Sequence, residues 1–489
     1  MSQHLESHSK DFTSLNEWLC YLETIHSQEI DLGLSRISQV AKRLDIDFSF
    51  ACVITVAGTN GKGTTCAFLE NALLGETVKS KTAHDQLQRV AVYSSPHIEH
   101  FNERLRINKC DIDDQSLITA FEKIEIARRE ISLSYYEYTT LAAFLVLMIA
   151  KPDVIILEVG LGGRLDATNI IDADVAVITT VDIDHQAFLG NDRETIGFEK
   201  AGIMRANQHI IVGDPNAPQS VINYASKVNA TSNNRQALNK IKIRNQDFFI
   251  TKQDLANNNK TQGWQWHYVE IESVEVKNVE VEVIEKEESG NKTEFGLNNL
   301  VNTHIPQDNV VTSLMVLKQL DVVLTTEKVN TLIEQTQVAG RTELFVCDEH
   351  KNNEAKRNSI KQQCDVMLDV GHNPHAGRYL AKKLAQLKSR NQYQRIIAVV
   401  AMLEDKDITN TLAPFNKIID DWNIAPLIVS RAATSDKMVR ELTLFTNSIN
   451  CFDNITQAFK MANQKAESTD LILVFGSFYT VAEIRKLLV

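Results

Sequence analysis

The chain has 489 residues, 43% hydrophobic and 23% charged, with a formal net charge of −12 and a sequence pI of about 5.6. This length suits two or three domains, and the acidic balance argues against nucleic acid as the main partner. Seven cysteines with no C-x-x-C pair, an N-terminus without the apolar core of a signal peptide, and a longest apolar run of only Leu141–Ala150 lead us to expect a cytoplasmic protein without disulfides or membrane association.

Residues 11–50 predict helices. Trp18, Leu19, Leu22 and Ile25 recur at helical spacing, as do Leu32, Leu34, Ile37, Val40, Ala41 and Leu44 after a break at Asp31–Gly33. Val53, Ile54 and Val56 then read as a buried strand, Gly58, Thr59, Asn60 and Gly61 as a turn of small residues, and Lys62, Gly63, Thr64 and Thr65 as the opening of a helix running to Leu74. Strand, glycine turn, lysine, hydroxyl and helix make a phosphate cradle. Glycines let backbone N–H groups approach an anion, and the helix N-terminus adds free donors and a positive dipole end. Lys62 can neutralise terminal phosphates, and Thr64 can face a metal. Two positions depart from the general nucleotide loop: Val56 stands where it has glycine, and Gly63 where it has Ser or Thr.

Val90–His97 reads as a strand ending in Ser94 and Ser95, at the edge where open α/β sheets bind ligands, although a hydroxyl-rich turn reads as well. Glu103, Arg104 and Arg106 form a charged stretch with no assigned role. Asp113–Ile131 and 139–150 predict helices, and the connection between them holds Tyr135, Tyr136 and Tyr138, either a core plug or a stack for a flat heterocycle. Asp153–Asn169 follows as an apolar strand with Glu158 at its C-terminal end, then a glycine turn presenting Arg164 and Asp166. A carboxylate at that place is costly unless paired, hydrogen-bonded or on a metal. A second buried strand begins at Asp174 and leads into acids and His185. Glu158 and His185 at matching ends of adjacent strands point to a divalent-metal site facing the phosphates. Thr195–Ile203 predicts a helix ending at Gly202, in which Lys200 beside Glu199 reads as a surface pair, and His209–Gly213 another short strand.

Residues 226–262 are rich in Asn, Gln, Lys and Ser, Val269–Ile284 alternates apolar with acidic or polar residues as a solvent-facing strand or hairpin, and Glu285–Lys292 is charged. Residues 226–300 are therefore expected to be a peripheral elaboration without catalytic residues. Helices are predicted at Asn309–Leu320 and Thr326–Gln337, before a boundary at Gly340–Arg341. Four strands follow, ending at Asp369, Leu403, Ser430 (from Pro426) and Ser477, with His372, Asn373 and His375 on a loop and a final helix from Phe478. Strands alternating with helices imply a parallel sheet with right-handed crossovers. The expected fold is α/β: a P-loop ATPase-like domain with a parallel-rich sheet over 1–338, a linker at 339–343 and a smaller Rossmann-like domain over 344–489. These parts describe an ATP-dependent enzyme working in an interdomain cleft, and leave open whether it is a kinase, a ligase or an ATPase.

Eight motifs narrow this: Gly58–Thr64, Ser94–His97, Glu158–Asn169, Asp184–His185, Glu199–Ile203, Gly340–Arg341, Asp369–His375 and Gly476–Tyr479. In kind and order they resemble the Mur ligase superfamily and, within it, the bacterial dihydrofolate synthase/folylpolyglutamate synthases, whose own form of the loop explains both departures noted above. The resemblance implies amide formation: ATP phosphorylates a carboxylate to an acyl phosphate, and the amine of L-glutamate displaces phosphate. It implies that Gly58, Thr59, Asn60, Gly61, Lys62, Gly63 and Thr64 hold the phosphates, that Arg341 reaches phosphates and Asp369 the ribose, and that Lys62, Glu158, His185 and Lys200 are catalytic. Ser95, Glu158 and His185 would ligate magnesium, two ions with potassium as a further candidate, and Lys200 matches a lysine carbamylated by carbon dioxide, which overturns its reading as a surface pair. Tyr136 and Asp166 match the pterin pocket, with Tyr136 in place of an expected phenylalanine and Ala339 in place of a proline; His372 and Ser477 match positions associated with glutamate. The implied partners are dihydropteroate, folates, L-glutamate and ATP, acting on a monomer. Alternatives are a folylpolyglutamate synthase only, another amino-acid ligase of the superfamily, whose peptidoglycan-precursor members carry an additional N-terminal domain, or a non-enzymatic ATP-binding module.

Overall fold

The computed structural model describes residues 12–28, 31–75, 88–230, 240–252, 263–271, 292–347 and 362–489. It divides into two compact units: Met1–His97 with Phe101–Val181 and His185–Thr336, and Gln337–Val489 with Ile98–His100 and Asp182–Asp184. Among the described residues no helix is long and apolar enough to cross a membrane.

The first unit opens with α1 (Leu15–Leu22) and α2 (Ser35–Arg43), followed by β1 (Cys52–Ala57), α3 (Lys62–Leu73), β2 (Val90–Tyr93), β3 (Leu105–Ile107), β4 (Cys110–Asp111), α4 (Asp114–Arg128) and α5 (Tyr135–Ala150). Then come β5 (Val154–Glu158), β6 (Val175–Ile178), α6 (Gln186–Leu189), α7 (Arg193–Ala201), β7 (His209–Val212), α8 (Gln219–Ala230) and β8 (Ile241–Ile243). β9 (Phe248–Lys252), β10 (Trp264–Ile271), β11 (Lys292–Leu300), α9 (Gln307–Gln319) and α10 (Thr326–Gln335) complete it. Eight strands form one sheet in the order β4-β3-β2-β5-β1-β6-β7-β8, parallel from β2 to β8 with antiparallel β3 and β4 at one edge.

β1 and β5 are buried at every position, as continuous apolar runs require when both faces are covered. Side chains alternate between two cores. Ile54, Val56, Ile156 and Val177 pack with α3 and α9, and Val53, Ala91, Ile155 and Leu157 with Trp18, Ile37, Phe121 and Phe144 from the helices opposite.

Three expectations change. β5 and β6 are not adjacent, because β1 lies between them and pairs with both. The three tyrosines occupy the first turn of α5 instead of a connection: Ser134 caps that helix in a capping box with Glu137, which starts it ahead of the apolar run. And the described strands of the 226–300 segment are part of the core: Trp264, Trp266, Tyr268, Leu297 and Leu300, from the three-stranded sheet β11-β10-β9, pack in the same cluster as α3 and α9. Residues 272–291, which hold most of the alternating valines and the charged loop, lie outside the described residues.

The second unit contains β12 (Glu343–Phe345), β13 (Asp365–Asp369), α11 (Pro374–Ser389), β14 (Ile396–Val400), α12 (Ile408–Leu412), β15 (Asp421–Ile424), α13 (Ser435–Leu442), β16 (Ile449–Cys451), α14 (Ile455–Lys465), β17 (Leu471–Phe475) and α15 (Phe478–Leu488). Its sheet runs β12-β13-β17-β14-β15-β16, parallel apart from β12. The strand expected at Pro426–Ser430 is a loop, with Ile428 92% exposed, and the ladder position belongs to Asp421–Ile424. That strand escaped notice because Asp421 and Asn423 break its apolar pattern; Asn423 is buried, and its Nδ2 donates to the Ala398 carbonyl at 3.2 Å.

Candidate active site

The strand order decides where the predicted residues meet. β2, β5, β1 and β6 are consecutive and parallel, so their C-terminal ends share one edge. Val56 pairs with Glu158, Tyr93 with Leu157 and Ala57 with Ile178. The 58–61 turn therefore leaves the sheet between Glu158 and Thr179, and Ser94–Ser95 follow β2 beside the end of β5.

The turn is closed by residues that the sequence pattern did not single out. Thr59 N–H donates to the Thr180 carbonyl at 2.7 Å, Asn60 N–H to Thr180 Oγ1 at 3.1 Å, and Thr179 Oγ1 to the Asn60 carbonyl at 2.6 Å. Gly58 must lack a Cβ because Thr179 Oγ1 occupies its place, and Gly61, at φ +89°, is backed by the Asn309 amide. Asn309 is buried with no hydrogen bond to its Nδ2 among the described residues. Lys62 opens α3, and its Nζ donates to the Gly58 carbonyl at 3.0 Å. The only local signal for Thr179 and Thr180 was their place directly after a buried strand.

Glu158 is 5% exposed, and a Cβ built on Gly63 would lie 3.7 Å from both its carboxylate oxygens. The position where the general loop has a hydroxyl thus faces a carboxylate instead. Beneath it, burial and then the Glu158 charge push the Cys66 thiol well up. Arg106, from the unassigned charged stretch, donates to the buried Glu70 carboxylate of α3 at 2.9 Å. Arg104 donates through Nε to His97 Nδ1 at 2.9 Å and lies over the Phe101 and Tyr135 rings.

The glycine turn after β5 and the C-terminal end of α7 interlock. Arg164 N–H donates to the Glu199 carbonyl at 2.7 Å, its guanidinium to the Glu199 carboxylate at 2.9 Å, and Asn169 Nδ2 to the Gly202 carbonyl at 3.1 Å. A Cβ on Gly163 would press on the carbonyls of Glu199 and Lys200. Glu199 is thus the partner of Arg164, while Lys200 is 3% exposed, not a surface pair. Asp166 caps the short helical turn Ala167–Ile170, accepting from Thr168 N–H and Oγ1 and, through its other oxygen, from Leu161 N–H at 2.9 Å. Burial raises its carboxyl above the ordinary range. Tyr136 stacks near Tyr93 with ring centroids 6.4 Å apart and crowds Gly160. Its hydroxyl lies beside Ser95 and makes no hydrogen bond among the described residues. Tyr138 is a core plug, its hydroxyl donating to the Phe121 carbonyl and to Glu125.

His185 stands at the entry of α6, exposed and at φ +51°, well beyond the end of β6. Among the described residues no three His, Cys, Asp or Glu side chains gather as a metal set; the expected set holds only two of these types, Glu158 and His185. Its chemistry suits a hard cation through Ser95 and Glu158 oxygens, and Gly63 leaves the Glu158 carboxylate uncrowded.

In the second unit Asp369 closes β13. Its two oxygens accept from Thr342 N–H at 2.9 Å and Gly371 N–H at 2.7 Å, and burial raises its carboxyl despite the nearby Arg341. The Arg341 guanidinium lies 5.4 Å from the Phe478 ring. His372 shares its Nδ1 with the Val370 carbonyl at 2.9 Å, and burial lowers its pKa to about 4, so the ring is neutral near pH 7. Asn373 Nδ2 and Lys406 Nζ donate to Asp184 at 2.9 and 3.1 Å. Ser477 is the N-cap of α15, accepting from Thr480 N–H at 3.0 Å.

Comparison with known proteins returns two domain matches: the Mur ligase middle domain over residues 56–284 and the Mur ligase glutamate ligase domain over 354–478. A dihydrofolate synthase/folylpolyglutamate synthase of Haemophilus influenzae is 37% identical over 477 residues, covering 97% of each chain. An E. coli FolC solved with DHPP and ADP superposes with a TM-score of 0.77 at 36% identity, covering 97% of both chains. A bifunctional folylpolyglutamate synthase/dihydrofolate synthase solved with Mn, AMPPNP and L-glutamate gives 0.75 at 36% identity, covering 96% of this chain and 97% of that one.

Proposed function

The chain belongs to the dihydrofolate synthase/folylpolyglutamate synthases of the Mur ligase family, and from that premise we propose which of its residues carry the family's reaction. It is an ATP-dependent ligase that joins L-glutamate to dihydropteroate, giving dihydrofolate, and to tetrahydrofolate and its polyglutamates. The observation that carries the residue assignment is the gathering of the 58–64 turn, Ser95 and Glu158 at the ends of neighbouring parallel strands.

The 58–64 turn receives the phosphates of ATP. Thr59 and Asn60, whose N–H groups are held by Thr180, shape it, and the N–H groups of Gly61–Thr64 at the start of α3 face the anion. Gly58 allows the close approach, and Lys62 supplies a positive charge to the terminal phosphates. Arg341 holds phosphate and Asp369 the ribose. Ser95, Glu158, His185 and a carbamylated Lys200 are the residues that would hold a divalent cation, magnesium in this reading, with two ions and a further potassium as the fuller form. Such a cation screens phosphate charge and stabilises the charge that develops during phosphoryl transfer. Carbamylation turns the buried Lys200 from an ammonium that repels metal into an anionic oxygen donor. The γ-phosphoryl group passes to the acceptor carboxylate, ADP leaves, and the glutamate amine then displaces phosphate from the acyl phosphate. Tyr136 offers an aromatic face to the pterin ring. Asp166, both of whose oxygens already serve the glycine turn, shapes the pocket and offers its remaining lone pairs. His372 and Ser477 attend the incoming glutamate. The proposed domains are 1–338 and 344–489, joined at 339–343, in a cytoplasmic monomer.

The test is ADP release by purified protein with ATP, magnesium and glutamate, adding 7,8-dihydropteroate or tetrahydrofolate. Glutamate-dependent turnover is expected with each acceptor. Turnover with tetrahydrofolate alone overturns the pterin-pocket assignment of Tyr136 and Asp166, and turnover with neither overturns the substrate assignment.

A further inference from the structure

The turn that enters the second unit holds a conformation its own sequence disfavours. Thr342 sits at φ +45°, where a β-branched side chain crowds the backbone. Gly340, at φ +65°, adopts the same region freely. A residue like Thr342 persists only where its surroundings over-determine it. Two contacts do so: its N–H donates to Asp369 Oδ2 at 2.9 Å, and its hydroxyl accepts from Lys383 Nζ at 3.0 Å. The preceding residues are tied as well, Val370 N–H donating to the Gly340 carbonyl at 2.8 Å and Gly340 N–H to Glu343 Oε2 at 2.7 Å. Lys383 reaches this turn from the middle of α11, and its charge acts on Asp369 together with that of Arg341.

We propose that Lys383 is a positioning residue for the nucleotide: by holding Thr342 in the left-handed conformation, it sets the Asp369 carboxylate and the Arg341 guanidinium in the arrangement that meets ATP. This rests on the reading that Asp369 and Arg341 contact the ribose and phosphates. Lys383 acts through Thr342, so its effect falls on nucleotide affinity, with little change in the chemical step.

The experiment measures KM for ATP and kcat in the full-length variants Lys383→Met, Thr342→Val, Thr342→Gly and Lys383→Met/Thr342→Gly, with Arg341→Ala alongside. Thr342→Val keeps the β-branch and exchanges only the hydroxyl for a methyl group that cannot accept from Lys383, so it tests the clamp even if Lys383→Met folds poorly. Lys383→Met and Thr342→Val are each expected to raise KM for ATP about tenfold with kcat within about twofold, the scale of one hydrogen bond to a charged donor. Thr342→Gly stays near wild type, and the double variant returns to within about threefold, because glycine needs no clamp. A merely structural role for Lys383 predicts no rescue by glycine. Unchanged KM in both Lys383→Met and Thr342→Val, or an unrescued double variant, overturns the proposal. An unchanged KM in Arg341→Ala overturns the phosphate role of Arg341 separately; glycine rescue seen beside it upholds the clamp as acting through Asp369.

Discussion

Lys200 illustrates how much a single burial value alters a residue's chemistry. In the sequence it stands beside Glu199 and reads as half of an exposed ion pair. In the fold Glu199 turns to Arg164, and Lys200 is left 3% exposed. In the reading proposed above, carbamylation exchanges this buried ammonium for an anionic oxygen donor suited to a bound cation. Lys200→Ala is therefore expected to cut ligation about 10²-fold or more while nucleotide affinity, read by titration with a non-hydrolysable analogue, changes little. Near-normal turnover would sink the carbamate role. His372 makes a second prediction at this scale. Its folded pKa of about 4 lies below the ordinary value of 6.5, so the unfolded chain binds the extra proton between those two values. Stability should fall as pH drops through that window and level off below it. His372→Gln should flatten this part of the profile, as measured by urea midpoints at several pH values; an unchanged slope means that other groups set it.

Among the elements, the cradle and the caps explain what was legible and what was not. The strand, turn and helix over residues 52–73 could be read directly, because burial of an apolar run, glycine φ freedom and helix initiation are all encoded in contiguous residues. The residues that pin the turn, Thr179, Thr180 and Asn309, lie more than a hundred positions away in sequence and carry no such signal. Gly61→Ala should cost about 1–3 kcal/mol, since it places a side chain at φ +89° against the Asn309 amide, and should raise KM for ATP as well. Equal loss of stability without any KM change would show that the turn does not hold the nucleotide. Ser477 separates two roles in another way. As the N-cap of α15 its replacement by Ala should lower stability by about 1 kcal/mol. A rise in KM for glutamate beyond that, in assays well below the melting temperature, is the outcome its proposed site role requires; a stability loss alone leaves it a cap.

For the whole molecule, one reaction centre serving two acceptors has a kinetic consequence. Dihydropteroate and tetrahydrofolate should compete, so ADP release in a mixture of both at saturation should fall between the two separate rates. A rate equal to their sum would require two independent sites and would overturn the shared cradle.

The sequence alone determined the α/β class, the strand, glycine turn and helix over residues 52–73, the helix boundaries near Asp113 and Gly202, and most of the strands whose C-terminal ends bear polar groups. Each of these follows from local pattern: apolar period, turn chemistry and capping. The tertiary structure decided the rest. It put β1 between β5 and β6, so that the cradle leaves the sheet between Glu158 and Thr179. It drew Trp264 and Trp266 from a polar-looking segment into the core, gave a ladder position to Asp421–Ile424, and brought the Lys383 ammonium to the hydroxyl of Thr342 at φ +45°. The physical reason is common to all four. Strand order, burial of a mixed-composition strand and support of a strained residue are settled by contacts between distant parts of the chain, and their energies have no counterpart in any single stretch of residues.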